Sequence, residues 1–279
     1  MAELGVENAL PDLDEPFEVP APAVEEFHTK GHTVVRGLAT AEEVGAYKPH
    51  IADAAQRRNR ETRPLEERDT YGKAFLQSPN LWRIDEATKR FVFSKRFAKA
   101  AADILGVDGV RLYHDQALFK EPGGGHTPWH QDQVYWPLDT DKTITMWMPL
   151  VDVPAEVGSM YFASGSHVLD MDGFDISDVS EEEVARLLDE KGIPAETHGA
   201  LNAGDATFHA GRILHRANPN PTRGMRAVMT VIYYADGARV AQPSSPFQEF
   251  DLRMWLKGLE PGDLAATERN PLLWPGEPS

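Results

Sequence analysis

The feature that most constrains this chain is a change of rhythm at Val110. From there the sequence breaks into short β-rich runs, over 110–120, 143–151, 159–162, 205–209 and 225–234, punctuated by Gly and Pro. Such runs with turn signals between them predict an antiparallel β body of sandwich or barrel type. The residues before Val110 read differently. A short strand over 32–36 is followed by Thr40-Ala-Glu-Glu43, a capping-box pattern that starts a helix over 41–58. Ser94 precedes a second helix over 95–105, in which Phe97, Ala101, Ile104 and Leu105 share one face and Gly106 ends the run. The expectation is a helical front on a mainly β fold with flanking helices.

The chain has 279 residues, 41% hydrophobic and 26% charged, the composition of a globular protein large enough for one sizeable core. No apolar run is long enough for a membrane span, and no secretory signal pattern opens the chain, which reads as soluble and cytoplasmic. With no cysteine, thiolate nucleophiles, disulfides and Cys-ligated metals are excluded, so a metal here must sit on His and carboxylate.

The formal charge of −16 is unevenly spread. Residues 1–29 carry eight acids and no Lys or Arg, and 170–190 carry nine acids with only Arg186, so the rest of the chain is close to neutral. The one dense basic run, Arg57-Arg58-Asn59-Arg60, reads as the polar end of a helix, and nucleic acid is not an expected partner. The organisation expected is an acidic, Pro-rich lead-in over 1–23, one domain over 24–260, and a Pro-punctuated tail over 261–279. Within the domain, an acidic insertion near 170–195 is expected to form a helix capped by Ser180. Its plain reading is a solvated helix, and the functional alternative is a lid.

Chemistry concentrates in Pro128-Trp-His-Gln-Asp132. On extended backbone, His130 and Asp132 point the same way and can grip one ion. A His-X-Asp pair alone is ordinarily a surface hydrogen bond, so a third ligand decides. His215, opening a later β run, completes two His and one carboxylate with three positions open, the facial triad of non-haem Fe(II) oxygenases. Eleven residues on, Arg226 opens the strand over 225–234, where alternation can turn its guanidinium inward. An inward Arg needs an anion, and the distal carboxylate of 2-oxoglutarate matches its fork.

These segments resemble the phytanoyl-CoA dioxygenase-like branch of the Fe(II)/2-oxoglutarate-dependent oxygenases. The resemblance runs in order through Lys120-Glu-Pro-Gly-Gly-Gly, Trp129-His-Gln-Asp132, Met146-Trp-Met-Pro-Leu150, Val157-Gly-Ser-Met160, Ala163-Ser-Gly-Ser-His167 and 203–209, then His215 and Arg226. It covers roughly residues 24–236. It implies a double-stranded β-helix, a cupin-like jelly-roll barrel, with His130, Asp132 and His215 holding iron at one mouth. It implies that Arg226 and Thr145 meet 2-oxoglutarate, with O2 as second cosubstrate, and that a small-molecule metabolite is hydroxylated with release of succinate and CO2. Asp132 stands where halogenating relatives carry a small residue, which favours hydroxylation. One departure is Ala217, where many members place a serine that touches the cosubstrate.

Other residues carry plainer readings. His126, His167 and His209 read as structural histidines, with His209 the rival for the third ligand position. Asp205 reads as a turn residue, and Arg216 and Arg223 as solvated. Gln116, Gln133, Trp136 and Trp147 are pocket candidates by proximity to the motif, while Gly123-Gly-Gly125 reads as a turn because no phosphate-loop continuation follows. Three alternatives stay open: the same iron chemistry diverted to desaturation, epimerisation or cyclisation, a non-catalytic jelly-roll sensing module, and a zinc hydrolase that would leave Arg226 without a purpose.

Overall fold

The structure is a computed structural model, and it describes residues 10–157, 159–169, 171 and 173–275. Residues 1–9 of the lead-in, Gly158, Asp170, Asp172 and the last four residues lie outside the described residues. In chain order the elements are α1 (Ala21–Lys30), β1 (His32–Val35), α2 (Ala41–Arg58), α3 (Thr70–Ala74), β2 (Leu76–Pro79), α4 (Glu86–Val92), α5 (Lys95–Leu105), β3 (Val110–Lys120) and β4 (Thr127–His130). There follow β5 (Thr143–Pro149), β6 (Met160–Ala163), α6 (Asp178–Lys191), β7 (Ala195–Glu196), β8 (Ala206–Ala210), β9 (His215–Ala217), β10 (Arg226–Ala235), α7 (Pro246–Trp255) and β11 (Leu272–Trp274).

Both expected N-terminal helices form as their caps dictate. Thr40 and Glu43 make the reciprocal capping box of α2. Ser94 accepts from the Phe97 amide at the start of α5, and Gly106 ends that helix in the left-handed conformation.

The strands build two antiparallel sheets. The larger runs β1-β8-β5-β10-β3-β11, with β2 also on β3, and the smaller runs β4-β9-β6-β7. This is the mainly β jelly-roll with flanking helices. Alternation divides the larger sheet into two faces. Ala227, Met229, Val231 and Tyr233 of β10, with Ile144, Met146 and Met148 of β5, join the core that α2, α4 and α5 cover. The intervening side chains, Arg226, Val228, Thr230, Thr145, Trp147 and His209 among them, face the space between the sheets.

One irregularity shapes that interior. In the pairing of β10 with β3, Ile232 stands opposite His114 and Tyr233 opposite Leu112, so Tyr113 is an extra residue in a β-bulge. Leu112 lies in the core under the helices, whereas Tyr113 and His114 both turn inward.

Three segments that the sequence described only loosely take a definite place. The described part of the lead-in is a strap across α2 and α5. Leu13 is buried, Pro11 O accepts from the Tyr47 hydroxyl at 2.6 Å, and Leu13 O accepts from Ser94 Oγ at 2.7 Å. At the other end, β11 pairs with β3, and the buried Asn270 side chain donates to Leu112 O and Tyr113 O, which ties the Pro-punctuated tail into the sheet. The acidic helix begins one turn earlier than expected. Ser177, in extended conformation, caps it by accepting from Ser180 N, and Ser180 turns its own hydroxyl to Asp175. Among the described residues no helix is long and apolar enough to cross a membrane.

Candidate metal centre and cavity

The metal-capable residues converge where the two sheets meet. β4 carries His130 and pairs with β9 so that His130 and His215 are cross-strand partners, their rings 4.1 Å apart. β4 ends at His130, and Asp132 opens a short 3-10 turn over Asp132–Tyr135. The carboxylate therefore reaches the same side through a turn and not by simple strand alternation. Its Oδ1 lies 3.7 Å from Nε2 of both His130 and His215, and the three ligand atoms lie within 4.8 Å of one another.

The protonation pattern of this trio follows from its hydrogen bonds. Nδ1 of His130 lies 2.8 Å from Pro128 O, and Nδ1 of His215 lies 3.1 Å from Ile213 O. A carbonyl can only accept, so each Nδ1 carries the proton and each Nε2 presents a lone pair to the shared space. Burial holds both imidazoles below their ordinary pKa, His215 well below it. Burial pushes the Asp132 carboxyl up, but His215, His209 and His130 outweigh it, and the net displacement is well below the usual carboxylate range. Two neutral imidazoles and one carboxylate are a donor set for a divalent cation, and the residues fit iron(II).

The second carboxylate oxygen of Asp132 is occupied by protein. Thr145 Oγ1 donates to Oδ2 at 2.9 Å, and His209 Nε2 approaches it at 3.2 Å. Thr145, which the resemblance puts on the cosubstrate, has one hydroxyl proton and gives it to Asp132. His209 thus borders the centre without joining the trio, and alternation along β8 explains why it faces inward.

Arg226 and Trp147 face the same space between the sheets. The Arg226 guanidinium lies over the Trp147 ring, 5.3 Å from its centroid, and burial lowers the Arg226 pKa to about 9. Its register partner Lys120 is buried as well, and burial, with Arg226 beside it, lowers Lys120 to about 6. Lys120 Nζ donates to Gly125 O and to Thr127 Oγ1.

A cavity of about 570 Å³ opens over the trio. Gln116, Trp136, Trp147 and Arg216 line it, the last with its guanidinium 5.0 Å from the Tyr161 ring and 5.4 Å from that of Trp129. Gln133 does not line it. Its side chain accepts from Thr143 Oγ1 and donates to Thr140 O, which braces the turn before β5, so it is a scaffold residue. Asp205, as expected of a turn residue, accepts from the Gly37 and Asn202 amides.

Sequence reasoning missed the outer wall. Phe247, Phe250, Asp251, Met254 and Trp255 of α7 line the cavity, with Tyr71 and Phe75 of the α3 region. The signal was present in Ser245-Pro246, a capping residue followed by a proline at the first helical position.

A family model for phytanoyl-CoA dioxygenase (PhyH) matches residues 27–228. The chain belongs to the phytanoyl-CoA dioxygenase family. It is accordingly an enzyme, an iron- and 2-oxoglutarate-dependent dioxygenase. A curated relative, described as a probable alpha-ketoglutarate-dependent hypophosphite dioxygenase of Stutzerimonas stutzeri, is 25% identical over 234 residues, 76% of this chain and 78% of that one. The epimerase SnoN from nogalamycin biosynthesis, a non-heme alpha ketoglutarate dependent enzyme, aligns with TM-score 0.73 at 26% identity, over 90% of this chain and 97% of its own. The carbocyclase SnoK from the same biosynthesis shares the fold, with TM-score 0.75 at 23% identity over 95% of this chain and 99% of its own.

Proposed function

We propose that this dioxygenase hydroxylates an unactivated C–H bond of a small-molecule metabolite, with release of succinate and CO2. The observation that carries the reading is Asp132 Oδ1 facing two imidazole lone pairs in the wall of a cavity of about 570 Å³ that aromatic and polar side chains line together. In it, His130, Asp132 and His215 hold the iron, and Arg226 takes the distal carboxylate of 2-oxoglutarate. Bound there, iron and 2-oxoglutarate activate O2 for attack on a C–H bond.

The chain's own residues position and exclude. The backbone carbonyls of Pro128 and Ile213 fix the imidazole tautomers, and Thr145 and His209 turn Asp132 so that one oxygen is left for the metal. Arg226 is pre-placed by its stack on Trp147, so an incoming carboxylate meets a guanidinium that is already desolvated. Cavity walls of Phe75, Trp136 and Trp147 keep water from the reacting carbon.

A second reading keeps the same centre but ends in epimerisation or ring closure, and the fit to SnoN and SnoK favours it. The experiment is an anaerobic titration with Fe(II) and 2-oxoglutarate that follows the visible charge-transfer band, beside His215→Ala and Arg226→Ala. A band lost in His215→Ala and moved to higher 2-oxoglutarate in Arg226→Ala supports the assignment; iron binding without a band refutes it. Product mass separates the two readings, since hydroxylation adds an oxygen, epimerisation leaves the mass unchanged and oxidative ring closure removes two hydrogens.

A further inference from the structure

Besides Asp132, two carboxyl groups line the cavity: Asp175, whose Oδ1 accepts from the Ser177 and Ser180 hydroxyls at the start of α6, and Asp251 on α7. Asp251 sits on α7, where Phe247 one turn before it and Met254 and Trp255 one turn after it line the same cavity. The Phe247 ring stands edge-on to Tyr135 at 5.3 Å, and the Trp255 ring lies 5.2 Å from His114. The β-bulge in β3 brings Tyr113 beneath this group, and its hydroxyl donates to Asp251 Oδ2 at 2.9 Å. Asp251 is only 7% exposed, while Phe247, Phe250 and Met254 around it are 44%, 49% and 37% exposed at the mouth of the cavity.

The Asp251 carboxyl is met by neutral groups among the described residues. Its described partners are a phenol and an indole, and no lysine or arginine among the described residues pairs with it. Burial pushes its carboxyl up to about 7, against the pull of the hydrogen bonds from Tyr113 and Trp255. Buried carboxylates are ordinarily paired with a cation. A carboxylate set among aromatic faces is also the arrangement that attracts an organic cation, which gains from the charge and from the ring quadrupoles together.

We propose that Asp251 is a specificity-determining residue that receives a protonated amine of the substrate, between the aromatic side chains of α7 and the Tyr113–His114 bulge. This rests on the oxygenase reading in taking the cavity as the substrate site. The substrate class it names is a largely apolar, ring-bearing molecule with a basic nitrogen, held by that nitrogen at the outer end while its apolar body extends toward the metal centre.

The test uses the full chain loaded anaerobically with Fe(II) and 2-oxoglutarate. Calorimetric titration compares biphenyl-4-ylmethylammonium with its neutral counterpart, biphenyl-4-ylmethanol, as probes. Wild type is expected to prefer the ammonium by about tenfold or more, since a charged hydrogen-bonded pair is exchanged for a neutral one. Asp251→Asn keeps the shape and removes the charge, and is expected to bring the two probes within about twofold. Tyr113→Phe, which retains the carboxylate, keeps the preference.

Failure of wild type to bind the ammonium, equal affinity for the two probes, or a preference that survives in Asp251→Asn overturns the proposal. The charge-transfer band, read in every sample, keeps the two readings apart. A normal band without ammonium preference defeats only the amine site. A preference without a band leaves the amine site standing and defeats the assignment of the centre.

Discussion

His209 Nε2 lies 3.2 Å from Oδ2 of Asp132, the carboxylate oxygen that the two imidazoles sharing Oδ1 leave free, and its ring stands 4.5 Å from that of His215. Thr145 Oγ1 donates to the same Oδ2 at 2.9 Å, so two protein groups hold one oxygen and direct the other inward. Removing the hydroxyl without changing shape isolates this effect. Thr145→Val is expected to weaken Fe(II) binding by roughly 10–100-fold, the usual cost of losing a partner that orients a metal ligand. Titration of the apoprotein with Fe(II) or Co(II) measures it. Unchanged affinity would mean that Asp132 is oriented by the turn alone.

Arg226 calls for a different pair of substitutions. Its guanidinium is buried on Trp147, and a carboxylate gains two parallel charge-assisted hydrogen bonds from it. Arg226→Ala is expected to raise the 2-oxoglutarate requirement by on the order of a hundredfold or more, the loss found when one member of a buried charge pair is truncated. Arg226→Lys keeps the charge and loses the fork, so it should fall between the two. A KM for 2-oxoglutarate that both variants leave untouched would place the cosubstrate elsewhere.

The sequence was most legible where a local rule acts alone. Thr40 and Ser94 are capping residues whose role needs no tertiary context, and α2 and α5 begin directly after them. His130, Asp132, His215 and Arg226 could be singled out because few other reasons exist for those residue types at those places. What stayed hidden depends on distant partners. Gln133 neighbours the motif yet braces Thr143, and Thr145 serves Asp132, because side-chain direction is decided by the turn at 132–135 and by the facing strand. Tyr113 and His114 both face inward only because a bulge breaks the period of two, and no residue pattern announces that break. Ser180 was a reasonable cap on local grounds. Ser177 took the role because Asp175 gathers both hydroxyls.

The acidic helix α6 is a buttress of β4, the strand that carries His130. Val184 and Leu188 pack with Trp129 and Leu214, and Glu181 Oε2 accepts from the Trp129 amide at 2.8 Å, one residue before His130. Glu181→Ala removes a charged acceptor from a buried backbone amide and should cost about 1–3 kcal/mol of stability. Because the freed amide adjoins His130, Fe(II) binding should weaken severalfold as well. Thermal melts of apo and metal-loaded protein check both, the expected sign being a smaller metal-induced rise in Tm for the variant. A solvated helix with no part in the centre would leave that rise as in wild type.

Asp115 gives a stability prediction whose sign is fixed by its burial. It lies on the helix side of β3, fully buried, and Oδ2 accepts from the Leu81 amide at 2.9 Å. Burial pushes the carboxyl up from 3.8 to about 7, against the backbone amides of Leu81 and Trp82. Between those two values the folded protein holds a proton that the unfolded chain has released. Stability from this group therefore falls as pH rises through that window, and the deficit is constant above about 7. Its full size is on the order of a few kcal/mol. Asp115→Asn cannot ionise, so the difference in Tm between variant and wild type should grow in favour of the variant from about pH 4 to pH 8. Taking the difference cancels the titration of every other group, the buried histidines included. A difference that stays flat across the range would mean that Asp115 is ionised in the folded protein and that the Leu81 and Trp82 amides outweigh its burial.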